Sequence, residues 1–185
     1  MSNIEQILAD IEAGEATQAM RRRWNPERQG EIDIRIAANG DWYHEGRRFE
    51  RAALVKLFAG ILRREQDSYF LVTPAEKLRV EVDDAPFVAT LVEQIDSDDG
   101  PAIVFTTNTD ERIVLDNDHA LRIETDAQSG QPRPYVHLRD GLEALISRSA
   151  FYDLLNLAYE TRRDGGAYLT LSSRGREFEL GSIDD

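Results

Sequence analysis

The sequence predicts an α+β fold made of two copies of a strand–helix–strand unit in mostly antiparallel sheets. Three observations carry that prediction. Segments 50–64 and 149–163 place apolar residues at helical spacing. Most other apolar residues alternate with polar ones in short runs bounded by turn residues, the pattern of half-buried strands. The flanks of the two helical segments also repeat in the same order at an offset of 97 residues.

Residues 2–14 open with Ser2 and Glu5 in a capping box, in which each side chain satisfies a free backbone N–H. Ile4, Ile7, Leu8 and Ile11 follow on one helical face, and Gly14 is a natural stop. The stretch 16–30 is polar and arginine-rich and reads as a linker, with Trp24 docked on the core. Residues 32–36 then alternate as a strand, Asn39-Gly40 marks a hairpin, and Trp42 to His44 begins the return. The first core helix, 50–64, carries Leu54, Leu57, Phe58, Ile61 and Leu62 on one face. Strands at 69–73 and 78–82 flank a turn at Pro74-Ala75-Glu76.

The middle reads as strands and turns, at 87–95, 103–106, 112–116 and 121–125, with a loop by composition at 127–134. The first pattern then recurs. Val136 and Leu138 alternate with charge, Asp140-Gly141 stands for Asn39-Gly40, and helix 149–163 presents Phe151, Leu154, Leu155, Ala158 and Tyr159. A closing strand carries Phe178 and Leu180. This divides the chain into an N-terminal helix and linker (1–25), a first unit (26–85) and a larger second unit (86–185) with extra strands.

Composition narrows function. The 185 residues are 41% hydrophobic, enough for a core, and no stretch approaches the ~20 apolar residues of a membrane span. The acidic start is unlike a signal peptide, and cysteine is absent, so a reducing cytoplasm is the expected location and thiolate chemistry is excluded. Residues 81–126 hold 13 acidic and 2 basic side chains, −11 of the total charge of −13. Such a chain opposes duplex nucleic acid and anionic membranes as partners.

Catalytic motifs are missing. Asp96-Ser97-Asp98-Asp99-Gly100 has the wrong spacing for a calcium loop and reads as a hairpin turn. Asp116, Asp118 and His119 lack a second histidine nearby, since the others are His44 and His137, so no metal or cofactor is expected. Ser147 or Ser149 is better explained as a helix cap than as a nucleophile. Glu76 with Lys77, beside the Pro74 turn, reads either as polar ligand contacts or as a surface ion pair. Arg133-Pro134-Tyr135 with Arg139 and Glu143 reads either as a binding patch or as a buried Arg–Glu pair knitting the halves together.

Three motifs then stand out: L-V-T-P-x-E-K at 71–77, V-x-D-A-P-F at 82–87 and R-x-G-L-E-A-L at 139–145. With the stretches around them, from Trp24 to Gly181, they make the chain resemble the bacterial domain-of-unknown-function family 1285. The resemblance implies a duplicated α+β protein whose second half is like a pleckstrin-homology barrel. It also implies a signalling or regulatory role, with a binding site between the halves. The reading is a ligand- or partner-binding module, with a protein scaffold or an enzyme using a carboxylate/His site as alternatives. Where loops of the two copies converge, the expected binding residues are His44, Thr73, Glu76, Lys77, Tyr135, Arg139 and Glu143.

Overall fold

The structure is a computed structural model that describes Ile4, Ile7 and residues 18–183. The predicted helix 2–14 lies, apart from these two isoleucines, outside the described residues. Both are helical, and Ile7 is fully buried. Among the described residues no helix is long and apolar enough to cross a membrane. The chain divides into two compact units, Met1–Pro86 and Phe87–Asp185.

The first unit begins with a short helix, α1 (Gln18–Arg21). Strands β1 (Arg28–Ile36), β2 (Trp42–His44) and β3 (Arg47–Arg48) follow, then helix α2 (Ala52–Ala59) and the strands β4 (Leu62–Glu65), β5 (Ser68–Val72) and β6 (Glu76–Val82). They form one six-stranded sheet in the order β3-β2-β1-β6-β5-β4. Among the described residues its one parallel ladder joins β1 to β6. Ile34 and Ile36 are buried while Asp33 and Arg35 face solvent, as the alternation predicts. At the β1–β2 hairpin Gly40 takes φ 84°, a conformation that glycine adopts without steric cost. The predicted linker is fastened by Arg63, whose guanidinium donates to the carbonyls of Arg21, Arg22 and Trp24.

The second unit runs β7 (Phe87–Ile95), β8 (Ala102–Thr107), β9 (Arg112–Val114), β10 (Leu121–Thr125), β11 (Pro132–Arg139) and β12 (Leu142–Ile146). Helix α3 (Arg148–Asn156) and the strands β13 (Tyr159–Arg163), β14 (Gly166–Ser173) and β15 (Arg176–Ser182) complete it. A six-stranded sheet has the order β10-β11-β12-β7-β8-β9, with β12 and β7 parallel, and β13-β14-β15 form a separate meander. Hairpin, helix and three-stranded meander therefore occur in both units in the same order.

Ser173 ties the meander to the larger sheet. Its fully buried hydroxyl donates to the Leu115 carbonyl (2.8 Å) and accepts from the Ile103 N–H (3.1 Å). Beside it the Arg174 N–H donates to the Pro101 carbonyl at 2.8 Å. Ser147 caps α3, its hydroxyl accepting from the Ala150 N–H at 3.3 Å.

Three expectations need correction. Both core helices end early, at Ala59 and Asn156 instead of at 64 and 163, and the following basic residues belong to strands. The helical spacing runs past the true end because Ile61 and Leu62 remain buried as the entry to β4, where Leu62 pairs with Leu71. Tyr159 is not core. It is 42% exposed on β13 and its hydroxyl donates to Glu177. The loop predicted at 127–134 also ends sooner, since β11 starts at Pro132. Proline lacks the N–H that a strand donates to its ladder and so reads as loop, yet Pro132 and Pro134 keep register with Thr125 and Ile123.

Leu154 is fully buried, so Leu154→Ala should lower unfolding stability by ~2–5 kcal/mol. Tyr159→Ala should change it by about 0.5 kcal/mol or less. Urea denaturation of the two variants checks both; equal losses would return Tyr159 to the core.

Candidate functional site

Of the seven residues expected to bind, His44, Thr73, Glu76 and Lys77 lie in the first unit and Tyr135, Arg139 and Glu143 in the second. The four in the first unit have structural work. The Thr73 hydroxyl accepts from the N–H groups of Ala75 and Glu76 and donates to the Glu76 carbonyl, closing the turn around Pro74. Glu76 is 1% exposed, and Arg28, its neighbour in the parallel ladder, approaches it at 3.4 Å. Lys77 donates to Glu65 at 2.8 Å and stands 4.9 Å over the Phe70 ring. His44 stacks on Phe49 with ring centroids 6.3 Å apart. The L-V-T-P-x-E-K motif thus encodes a buried polar corner.

In the second unit Tyr135 and Glu143 come together on Arg122. Its guanidinium lies 4.2 Å over the Tyr135 ring and makes a two-pronged pair with Glu143 at 2.9 and 2.7 Å. Hydrogen bonding to Glu143 holds Arg122 still more firmly protonated, against a smaller opposing effect of burial. Arg139 turns elsewhere. Its 10% exposed side chain grips both oxygens of Glu111, at 2.7 and 2.6 Å, and lies 5.6 Å over Phe87. The register explains the split, because Glu143 stands opposite His137 while Arg139 follows a bulge and stands opposite Leu142.

The histidines of this unit are also committed. His137 lies with Nδ1 2.7 Å from the Asp118 carbonyl, while Nε2 accepts from the Gly141 N–H at 3.2 Å. Both ring nitrogens are thereby engaged by the backbone. His119 bonds to the Asp116 carboxylate at 2.9 Å. Burial would raise the Asp116 carboxyl, but hydrogen bonds from the His119 ring and the N–H groups of His119 and Asp118 outweigh it and hold it below the ordinary carboxylate range. Asp116 therefore closes a turn of its own backbone. Among the described residues no cluster of His, Asp and Glu is arranged to hold a metal ion.

The surface suited to a ligand lies beside this network and includes Arg133 and Pro134 of the patch singled out in the sequence, together with residues of the following helix that were read there only as core. A groove of about 500 Å³ opens between α3 and the adjoining ends of β11 and β12. Pro132, Pro134, Leu145, Phe151, Tyr152 and Leu155 give it mostly apolar walls, and Arg133 and Arg148 supply two cations. Arg133 is oriented by the Tyr135 hydroxyl (3.1 Å) and by Asp126 (3.5 Å). Tyr135 thus serves the groove from behind, with Arg122 on its ring. Tyr152 is 54% exposed, and Arg148 lies 5.8 Å over its ring. The signal available in the sequence was Pro132-Arg133-Pro134-Tyr135, which the loop assignment at 127–134 cut in two. A second cleft, of about 650 Å³, is polar and lined by Asp99, Asp116, Asp118, Arg174 and Arg176; two of these, Asp99 and Arg174, are already joined in a 2.7 Å pair.

Comparison with known proteins places the chain in context. The model of the N-terminal domain of DUF1285, a domain of unknown function, matches residues 21–85, and that of the C-terminal domain matches residues 86–180. The chain is similar to a solved DUF1285 family protein from Silicibacter pomeroyi DSS-3, at 41% identity over 96% of each chain and a TM-score of 0.83. It is also similar to one from Shewanella baltica OS155, at 30% identity over 66% of this chain and 90% of that one, with a TM-score of 0.54. No curated protein matches.

Two measurements test the assignments in this unit. Hydrogen bonds from the Ser129 backbone and side chain pull the Asp126 carboxyl from 3.8 to about 2. A depressed folded pKa contributes stability that is complete above the unfolded value and lost as pH falls through the folded one. The Asp126 carboxyl carbon should therefore titrate in NMR near pH 2, with the 126–131 turn losing support between about pH 4 and 2; a midpoint at 3.8 would contradict the turn geometry. For the Arg139 pair, Glu111→Ala should cost ~1.5–3 kcal/mol by thermal or urea unfolding, since it strips a nearly buried guanidinium of its partner. Glu124→Ala, at the more exposed Arg122, should cost under about 1 kcal/mol.

Proposed function

The chain belongs to the DUF1285 family, both of whose domains it carries, and we propose that it acts as a ligand-binding regulatory module whose second unit holds the ligand in the groove beneath α3. The observation that carries the reading is the groove itself: an apolar-walled recess of small-molecule size with two cations in its lining, on a helix and strand ends that the core holds rigid. The committed histidines and the turn-closing Asp116 support binding over catalysis, because general acid–base work needs a titratable group free to meet a substrate. A regulatory role suits the position of α3, which joins the two sheets of the unit, so that a ligand gripping the helix and β11 together would stiffen both.

The test makes no assumption about ligand chemistry. A fragment library screened by protein-observed NMR should shift amides at 131–134 and 145–155 as one group. The same fragments should raise the melting temperature of the full chain. Leu155→Trp, which fills the groove, should abolish the shifts and leave the fold intact by circular dichroism. Fragment shifts gathered elsewhere and unaffected by Leu155→Trp would sink the reading.

A further inference from the structure

We infer that the groove beneath α3 takes a monoanionic amphiphile, a single carboxylate on an alkyl or aryl body. The inference rests on the proposed binding role of the groove and adds the chemical class of its occupant. Three observations carry it.

The first is charge. The chain is strongly acidic, with a net charge of −13, yet the groove presents two arginines and no carboxylate among its lining residues. The two differ in state. Arg133 has Asp126 at 3.5 Å to balance it. Arg148 makes no ion pair among the described residues, its guanidinium meeting only the Tyr152 hydroxyl at 3.5 Å and the face of that ring. One cation is therefore left uncompensated, which matches a single negative charge better than the double charge of a phosphate monoester.

The second is the place of Arg148. It is the first residue of α3, directly after the Ser147 cap, and the first turn contains no acidic residue. The N-terminus of a helix carries partial positive charge, so an acidic side chain would be favourable there and an arginine is unfavourable. A residue that breaks a local rule and has no counter-charge among the described residues points to function. A bound carboxylate would supply that compensation, meeting the guanidinium fork with two parallel hydrogen bonds.

The third is the lining. The prolines of β11 and the side chains of Leu145, Phe151, Tyr152 and Leu155 offer a flat apolar bed next to the cations, with few groups to satisfy a polar body. The occupant is thus charged at one end and apolar over the rest.

Isothermal titration of the full chain with octanoate, 1-octanol and octyl phosphate decides the matter, using the wild type, Arg148→Glu and Leu155→Trp. Arg148→Glu restores a favourable charge to the helix N-terminus, so folding is preserved by design. Octanoate should bind saturably and about tenfold tighter than octanol. Arg148→Glu should weaken octanoate at least about tenfold while leaving octanol unchanged, and Leu155→Trp should abolish both. Octyl phosphate should bind no tighter than octanoate. Equal binding of octanol and octanoate, insensitivity to Arg148→Glu, or preference for octyl phosphate would overturn the monocarboxylate assignment while keeping the groove as a site. If none of the three binds and the fragment screen also leaves the groove silent, the binding role itself fails. A concentration-dependent dimer lost on Tyr152→Arg in size-exclusion chromatography would assign the groove to self-association and overturn both.

Discussion

The second unit depends on one buried hydroxyl. Its meander β13-β14-β15 shares no ladder with the six-stranded sheet, so the two sheets need a join that does not rely on continuous pairing. Ser173 provides it, taking the Ile103 N–H and giving its proton to the Leu115 carbonyl. Only a small side chain that both donates and accepts can serve there, because each unpaired backbone group in a dry interior costs about 1–3 kcal/mol. Leu171, two residues earlier on the same strand, is fully buried, so the hydrogen bonds and the apolar packing fix the same face. Helix α3 leads in chain order from the larger sheet to the meander and packs against β7.

Polar residues in this protein divide by what their partners leave undone. Thr73 with the Glu76 backbone, Lys77 with Glu65, and Arg139 with Glu111 are closed sets whose strongest groups are spent on neighbours. Arg122 belongs with them, paired to Glu143 and also to Glu124. The chain from Glu143 through Arg122 and the Tyr135 ring to the Tyr135 hydroxyl ends at Arg133, on the edge of the groove. A rigid network behind a surface arginine lowers the entropy lost when that arginine grips a ligand. The residues that look most functional by type therefore act mainly as supports, and the surface they support is built from prolines, aromatics and an arginine without an ion pair among the described residues.

The sequence made the architecture legible where one period dominated. Alternation placed β1 and the buried Ile34 and Ile36, and the Asp140-Gly141 hairpin appears with both residues at positive φ. Legibility failed where two periods agree by coincidence. Ile61 and Leu62 satisfy helical spacing and strand burial at once, so nothing in their order marks the end of α2 at Ala59. Pro132 and Pro134 misled in the opposite direction, since proline is read as loop although both keep register within β11. Partner choice was the least legible feature. The bulge in β11 sends Arg139 toward Glu111 and leaves Glu143 to Arg122, and a bulge of one residue has no signature in composition. Arg148 lies in the flank that repeats Arg51-Ala52-Ala53 at an offset of 97 residues and carried no other mark in the sequence, because a missing ion pair is a property of the surroundings.

The two copies also show how one unit yields two outcomes. In the first, the last meander strand β6 returns to pair with the hairpin strand β1, so hairpin, helix and meander close on a single sheet. In the second, both sides of the hairpin are taken by the inserted strands, β10 against β11 and β7 against β12. The meander is displaced into a sheet of its own and α3 must bridge the gap. Two buried anchors, Ala150 and Leu154, hold one face of the helix, while Phe151 and Leu155 are half-buried and Tyr152 is exposed along the groove. The groove is thus a consequence of topology. Extra strands occupy the place where the meander paired in the first copy, and a helix that would otherwise lie against one sheet is left with an open side for chemistry to use.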